Sequence, residues 1–101
     1  MTMNVSYRIN PLLIGYGYWG KNLLRNLIDN PNSGTINVCD VDTDKLEKIF
    51  SPHLVIAKET DTHQAISNPK VDAVIIATPT STHFELAKVA LQYPHPYSVG
   101  A

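Results

Sequence analysis

The sequence predicts a doubly wound α/β domain, a parallel sheet with helices on both faces, on three observations. Four short β-forming runs alternate with four segments of helical period, in the order βαβαβαβα. The most apolar run, Val71 to Ala77, carries Val74, Ile75 and Ile76 in succession, the pattern of a strand buried on both faces of a parallel sheet. The first run opens directly into a glycine-rich turn, Gly15-Tyr16-Gly17-Tyr18-Trp19-Gly20, that leads into a helical pattern. Strands joined through helices need right-handed crossovers, which leaves few topologies open.

Leu12-Leu13-Ile14 is the first strand, and Pro11 fits its first residue, where a missing N–H does least harm. From Lys21 the period changes: Leu23, Leu24, Leu27 and Ile28 share one helical face, Lys21, Asn22, Arg25 and Asn26 the other. Asn30-Pro31-Asn32-Ser33-Gly34 ends that helix. Thr35 to Cys39 alternates and forms a second strand, which ends at Asp40. Asp42 suits the N-cap of a helix whose apolar face is Leu46, Ile49 and Phe50, with Pro52 as its stop. His53 to Ala57 reads as a third short strand. Asp61 and Gln64 form a capping box for a brief helix through Ala65 and Ile66, broken at Asn68-Pro69-Lys70. Beyond the fourth strand, Thr78-Pro79-Thr80-Ser81 is a turn and Thr82 pairs with Glu85 as a second capping box. The helix from His83 to Gln92 would bury Phe84, Ala87, Ala90 and Leu91. Residues 1–92 thus form the domain, a sheet incomplete at about four βα units. Residues 93–101, with two prolines and no period, read as an irregular tail, and an open edge at the fourth strand invites self-association.

Composition narrows the function. A chain of 101 residues, 44% hydrophobic and 17% charged, suits one globular domain. Eight basic residues against nine acidic, with no block of like charge, leave no footprint for nucleic acid or an anionic membrane. No apolar run is long enough to cross a bilayer and the N-terminus lacks the parts of a signal peptide, so a soluble cytoplasmic protein is the expectation. Cys39 stands alone, which excludes a disulfide framework; inside a strand it reads as a small buried apolar group rather than a nucleophile. His53, His63, His83 and His95 show no metal-ligand spacing, and no catalytic Ser/His/Asp set or carboxylate pair can be assembled.

The glycine turn carries the chemistry. Gly15 to Gly20 matches G-x-G-x-x-G between a strand and a helix, and Asp40 closes the next strand 20 residues after Gly20, the context of a dinucleotide-binding fingerprint. Gly15 permits the tight turn, Gly17 lets the backbone approach a pyrophosphate, and Gly20 lets the helix pack close to the strand. Free N–H groups at the helix start would face the phosphates. Asp40 would accept hydrogen bonds from the adenosine ribose and repel a 2′-phosphate. The first basic residue after it is Lys45, so NAD is favoured over NADP. S-adenosylmethionine, FAD and a bare structural turn are the alternatives. Tyr16, Tyr18 and Trp19 either cover the cofactor or pack at the loop mouth. The loop Thr78 to His83 lies at the carboxyl end of the most buried strand, where open parallel sheets bind ligands; helix capping by Ser81 or Thr82 explains it as well.

Three segments together resemble the N-terminal domain of the Gfo/Idh/MocA family of NAD(P)-dependent oxidoreductases. They are Ile14 to Asn22, Val38 to Asp42, and Asp72 to His83, matching in order and spacing over about residues 10 to 92. The Gly-Tyr-Trp-Gly form followed by Lys21-Asn22 is similar to the branch of UDP-N-acetylglucosamine-type 3-dehydrogenases. The resemblance implies a Rossmann-like fold, pyrophosphate on Gly15 to Gly20, adenosine ribose on Asp40, and nicotinamide ribose bordered by Thr78, Pro79, Thr80 and His83. It implies hydride transfer between NAD and a sugar or nucleotide-sugar hydroxyl.

Family members continue with a Gly-Lys-His turn, a strand and a Glu-Lys-Pro motif whose lysine takes part in catalysis. Here Tyr93-Pro94-His95-Pro96 follows, and neither that motif nor a C-terminal α/β domain lies within the sequence. The expectation is a truncated domain with no catalytic residue of its own that binds NAD weakly or not at all. A non-catalytic nucleotide-binding module, a subunit of a split enzyme and a non-functional fragment remain open.

Overall fold

Alternation along the first strand decides how the molecule is layered. Successive side chains on a strand point to opposite faces, so Leu12 and Ile14 enter one core and Leu13 the other, all three buried. The computed structural model describes residues 8–51, 55–78, 80–92 and 97–100, with 80–84 and 97–100 described as backbone only. Its strands are β1 (Pro11–Ile14), β2 (Ile36–Cys39), β3 (Ile56–Glu59), β4 (Ala73–Ile76) and β5 (Tyr97–Gly100). Its helices are α1 (Tyr18–Asp29), α2 (Thr43–Glu47), α3 (Thr62–Ser67) and α4 (Thr80–Leu91).

The sheet runs β3-β2-β1-β4-β5, and every pairing is parallel. β1 is central, with Leu13 opposite Val38 on one side and Ile75 on the other. One core gathers Leu12, Ile14, Cys39, Val74 and Ile76 of the sheet with Ala65 and Ile66 of α3 and Ala90 of α4. The other gathers Leu13, Ile36 and Val38 with Leu24 of α1 and Leu46 of α2. Helices therefore cover both faces, as the sequence predicts, and the fold is Rossmann-like.

At the amino ends of the strands, Asn10 ties three of them together. Its Oδ1 accepts the Thr35 N–H at 2.8 Å, its own N–H donates to Asp72 Oδ2 at 2.9 Å, and its carbonyl accepts the Asp72 N–H at 2.9 Å. Both predicted acidic caps form. Asp42 accepts from the Asp44 N–H at 3.0 Å and Asp61 from the Gln64 N–H at 3.1 Å. The Asp61 N–H goes to Glu59 Oε2 at 2.9 Å, so Glu59 takes the reciprocal half of the capping box assigned to Gln64.

Several expectations are corrected. Tyr97–Gly100 is a strand, paired with β4, where the sequence reading placed an irregular tail. Pro94 and Pro96 precede those four residues, so β5 loses no ladder donor to them. β4 is consequently interior, and the sheet edges are β3 and β5. α1 and α4 each begin three residues before the expected Lys21 and His83, which puts Thr82 inside α4 rather than at its cap. α2 stops at Glu47, so Phe50 lies beyond the helix and is 81% exposed, while Ile49 turns inward. Leu91 ends α4 exposed, one residue past the buried Ala90. β3 starts at Ile56 rather than His53, and Pro52 to Leu54 lie outside the described residues. Among the described residues no helix is long and apolar enough to cross a membrane, and no acidic, histidine and cysteine cluster could hold a metal ion.

Candidate functional site

The glycine turn sits at the carboxyl end of the central strand, and its three glycines differ in what surrounds them. Gly15 is buried at φ +101°, a conformation L-residues rarely adopt. A Cβ there would also come within 3.0 Å of the Ala77 carbonyl oxygen and of Thr78 Cγ2, so β1 and β4 approach closely only because this side chain is missing. Gly20, in the first turn of α1, has the Gly15 carbonyl where its Cβ would be, so α1 packs directly on the turn. Gly17 is different. Its φ is −86°, open to any residue, and nothing lies within 4 Å of a Cβ built on it. The fold's own packing accounts for Gly15 and Gly20 but not for Gly17.

Gly17 is also the N-cap of α1 and offers no side chain to cap it. The helix start therefore presents backbone N–H groups without a side-chain partner, the arrangement that favours an anion. Asp40 follows β2 directly and is fixed from two sides. Its Oδ2 accepts the Tyr16 N–H at 2.8 Å and its Oδ1 the Asp42 N–H at 2.9 Å. Each oxygen keeps a second lone pair, so the carboxylate can still accept from two hydroxyls.

Gly15, Gly17, Tyr18, Trp19, Asp40 and Thr78 line one cavity of about 440 Å³. A neighbouring cavity of about 360 Å³ shares Gly15, Asp40 and Thr78 and extends under Thr62 and Leu86. Tyr18 and Trp19 belong to the first turn of α1 rather than to the loop. They are 76% and 68% exposed and meet edge to face with ring centroids 5.4 Å apart, so internal packing does not account for them. Tyr16 lines neither of these cavities: its N–H is held by Asp40, and the half-buried residue lines a groove between α1 and α2 instead. Gly20 lies beneath the cavity rather than in its wall. Pro79 is outside the described residues, and Thr80 and His83 are placed by their backbone in the first turn of α4.

Sequence reasoning missed Val41 and the wall role of Lys45. Val41 is 80% exposed and lines both cavities, a signal available only as an apolar residue directly after the strand-ending acid. Lys45 is the third residue of the short helix α2 and lines the same cavity as Asp40. Cys39 is buried, its Sγ 3.7 Å from Thr62 Oγ1; burial pushes its thiol up from the ordinary value, the Thr62 contact opposing and Glu59, Asp40 and Asp61 adding to the rise. A buried protonated thiol is a packing group here, as expected from its strand position.

Residues 9–96 match the model of the GFO_IDH_MocA oxidoreductase family, NAD-binding Rossmann fold. The chain is 32% identical over 80 residues to the uncharacterized oxidoreductase YdgJ of Escherichia coli (strain K12), covering 79% of this chain and 22% of that protein. An oxidoreductase from Magnetospirillum magnetotacticum MS-1 superposes with a TM-score of 0.71 at 35% identity, over 91% of this chain and 29% of the other. The WlbA dehydrogenase from Bordetella pertussis, solved with NADH and UDP-GlcNAcA, shares the fold with a TM-score of 0.78 at 17% identity, over 96% of this chain and 29% of its own. The chain thus spans less than a third of the length of the relatives it matches. It belongs to the Gfo/Idh/MocA oxidoreductase family, and what it carries is that family's NAD-binding Rossmann domain.

Proposed function

We propose that the chain binds NAD across the carboxyl ends of β1 and β4, as the cofactor half of a dehydrogenase acting on a sugar or nucleotide-sugar hydroxyl. In this reading the pyrophosphate rests against Gly17 and the first turn of α1, and Asp40 takes the adenosine ribose. Thr78, followed by Pro79, Thr80 and His83, borders the nicotinamide ribose. Tyr18 and Trp19 flank the phosphates from the helix side. The observation that carries the reading is Gly17, whose missing side chain leaves an empty space beside uncapped helix N–H groups and is required by nothing in the protein itself.

The bound nicotinamide would accept a hydride from a carbinol carbon, the hydroxyl proton leaving as the ketone forms. The chain's own part is to hold and orient the dinucleotide. Holding the sugar carbon in attack geometry falls to residues beyond those assigned here, and no catalytic residue is assigned to this chain. The nucleotide-sugar preference is supported by the Gly-Tyr-Trp-Gly-Lys-Asn segment and by the ligand of the WlbA complex.

Titration of the ¹⁵N-labelled 101-residue chain with NAD tests the cofactor reading. Amide shifts confined to Gly15–Gly20, Asp40–Asp42 and Thr78, saturating with an affinity on the order of 1 mM or tighter, are the expected result. A spectrum that NAD leaves unchanged, or shifts only away from these loops, overturns it.

A further inference from the structure

We propose that the groove between α1 and α2 is a docking site for an acidic segment of a partner protein, anchored by a large apolar side chain. The helical repeat puts Lys21, Leu24, Arg25 and Ile28 on one face of α1. Opposite them stand Lys48, the C-cap of α2, and Ile49 and Phe50, which follow it. Together with Tyr16 these residues line a cavity of about 320 Å³. A smaller opening of about 300 Å³ continues it past Lys21 and Lys48 to Lys45. Leu24 and Ile49 are buried at an apolar floor, Ile28 is half-buried, and the four cations are exposed around it. Phe50 is 81% exposed, an aromatic ring on the rim that the fold leaves unpacked. None of the residues assigned to NAD lines the larger cavity, so the inference stands apart from the cofactor reading.

Charge decides the occupant. The groove gathers four of the chain's eight basic residues, and no acidic residue lines either opening. Among the described residues no ion pair engages the side chains of Lys21, Arg25, Lys45 or Lys48. Cations without counter-charges around an apolar floor complement a ligand that brings carboxylates and an apolar side chain together. An acidic peptide does so, its carboxylates at the rim and a Leu or Phe on the floor, with attraction between opposite charges steering the encounter. An exposed aromatic beside an arginine is also the pairing that carries binding energy at protein interfaces. The chain's residues outside the described set cannot fill this role, because all nine acidic residues lie within that set. A second copy docked about a two-fold axis would set the groove against its twin, with like charges opposed. An acid-rich segment of another protein meets neither obstacle.

The test titrates the ¹⁵N-labelled 101-residue chain with the end-blocked peptide Glu-Glu-Leu-Phe-Glu-Glu, with Lys-Lys-Leu-Phe-Lys-Lys and with Glu-Glu-Gly-Gly-Glu-Glu. The first is expected to shift the amides of Lys21 to Ile28 and Lys48 to Phe50 and to saturate at about 1 mM or tighter, the other two binding at least about tenfold more weakly. Reversing two cations of the groove, Arg25→Glu/Lys48→Glu, should weaken the first peptide by about tenfold or more. Reversing two cations outside it, Lys58→Glu/Lys70→Glu, changes net charge equally and should alter binding by less than about threefold. Phe50→Ser should weaken it by about threefold or more. All the substituted positions are exposed, so the variants keep the fold, which their own amide spectra verify. No binding of the first peptide, equal binding of the lysine peptide, or equal losses in the two reversal variants overturns the proposal. A Phe50→Ser variant that binds like the unchanged chain overturns it as well. Equal binding of the glycine peptide marks a bare charge site, with the same consequence. Groove amides that move with chain concentration in the absence of peptide assign the face to a second copy, which also overturns it.

Discussion

Replacing Gly17 and Gly20 one at a time separates binding from folding, because the two glycines face opposite demands. A methyl group at Gly20 meets the Gly15 carbonyl, a backbone atom that yields only if α1 lifts from β1. Overpacking of this kind costs about 1–3 kcal/mol, and the better helix propensity of alanine returns about 1 kcal/mol. Because the clash is with backbone atoms that cannot swing aside, the upper half of that range applies, and the net loss for Gly20→Ala is about 1–2 kcal/mol, a fall in Tm of roughly 5–15 °C for a domain of this size. A methyl group at Gly17 meets nothing within 4 Å, and its φ of −86° suits alanine. Reduced unfolded-chain entropy favours alanine by about 0.4–1 kcal/mol, and its poorer N-capping opposes that by a similar amount. Stability for Gly17→Ala should hold to within about 0.5 kcal/mol. The same methyl group fills the space assigned to the pyrophosphate, so NAD affinity should drop at least tenfold, about 1.4 kcal/mol. Thermal unfolding followed by circular dichroism reads the first quantity and NAD titration the second. Gly17→Ala binding NAD like the unchanged chain would refute the placement of the pyrophosphate. A Gly20→Ala variant with unchanged Tm would refute the packing argument for the turn.

Three further outcomes follow from the same geometry. Asp40→Ala frees the Tyr16 and Asp42 N–H groups together, so it should weaken NAD and lower stability by about 1–2 kcal/mol, with Asp40→Asn intermediate; urea unfolding beside NAD titration checks both. Asp61→Ala removes the α3 cap and should cost about 1 kcal/mol while leaving NAD affinity unchanged, a comparison that guards against reading every loss of stability as a loss of site. Cys39 has a thiol pKa raised above its unfolded value of 9.0, so above that pH the unfolded chain releases a proton the folded one retains. Its contribution to stability is constant at neutral pH and falls as pH rises past 9.0; urea midpoints between pH 8 and 10 should drop more for the unchanged chain than for Cys39→Ala.

The elements that were legible in the sequence are those whose signal is local. Asp42 and Asp61 announce their helices because a cap is a bond across two or three residues, and β1 and β4 announce themselves because both faces must be apolar in a central strand. Boundaries that depend on tertiary contact were not legible. Tyr18 and Trp19 are helical although exposed, because α1 starts where Gly20 can sit on Gly15 and not where its apolar stripe begins. Phe50 continues the apolar spacing of α2, but the helix ends first. β5 is four residues with no period long enough to register, and it is a strand because β4 offers it a partner. The groove between α1 and α2 is invisible for the same reason: Lys21 lies on α1 and Lys48 just past the end of α2, and only the packing of both helices on one face of β1 and β2 brings them together.

The motif names the residues of the site, but the topology puts them at a crevice. α1 leaves β1 toward the face it shares with α2, and α4 leaves β4 toward the face it shares with α3. The connections after two adjacent strands therefore part in opposite directions, and a ligand can enter between them at this point. How deep the opening is depends on Gly15. With no side chain there, the Ala77 carbonyl and Thr78 come in close against the turn and form its floor. A side chain at Gly15 would force β4 away from β1 at its carboxyl end and remove Thr78 from the wall, even if it spared every group on the β2 side. Gly15→Ala should therefore disturb the Thr78 side of the site while Asp40 keeps its bonds. Amide shifts in the free variant that spare Ala77 and Thr78 would break the link between the turn and the floor.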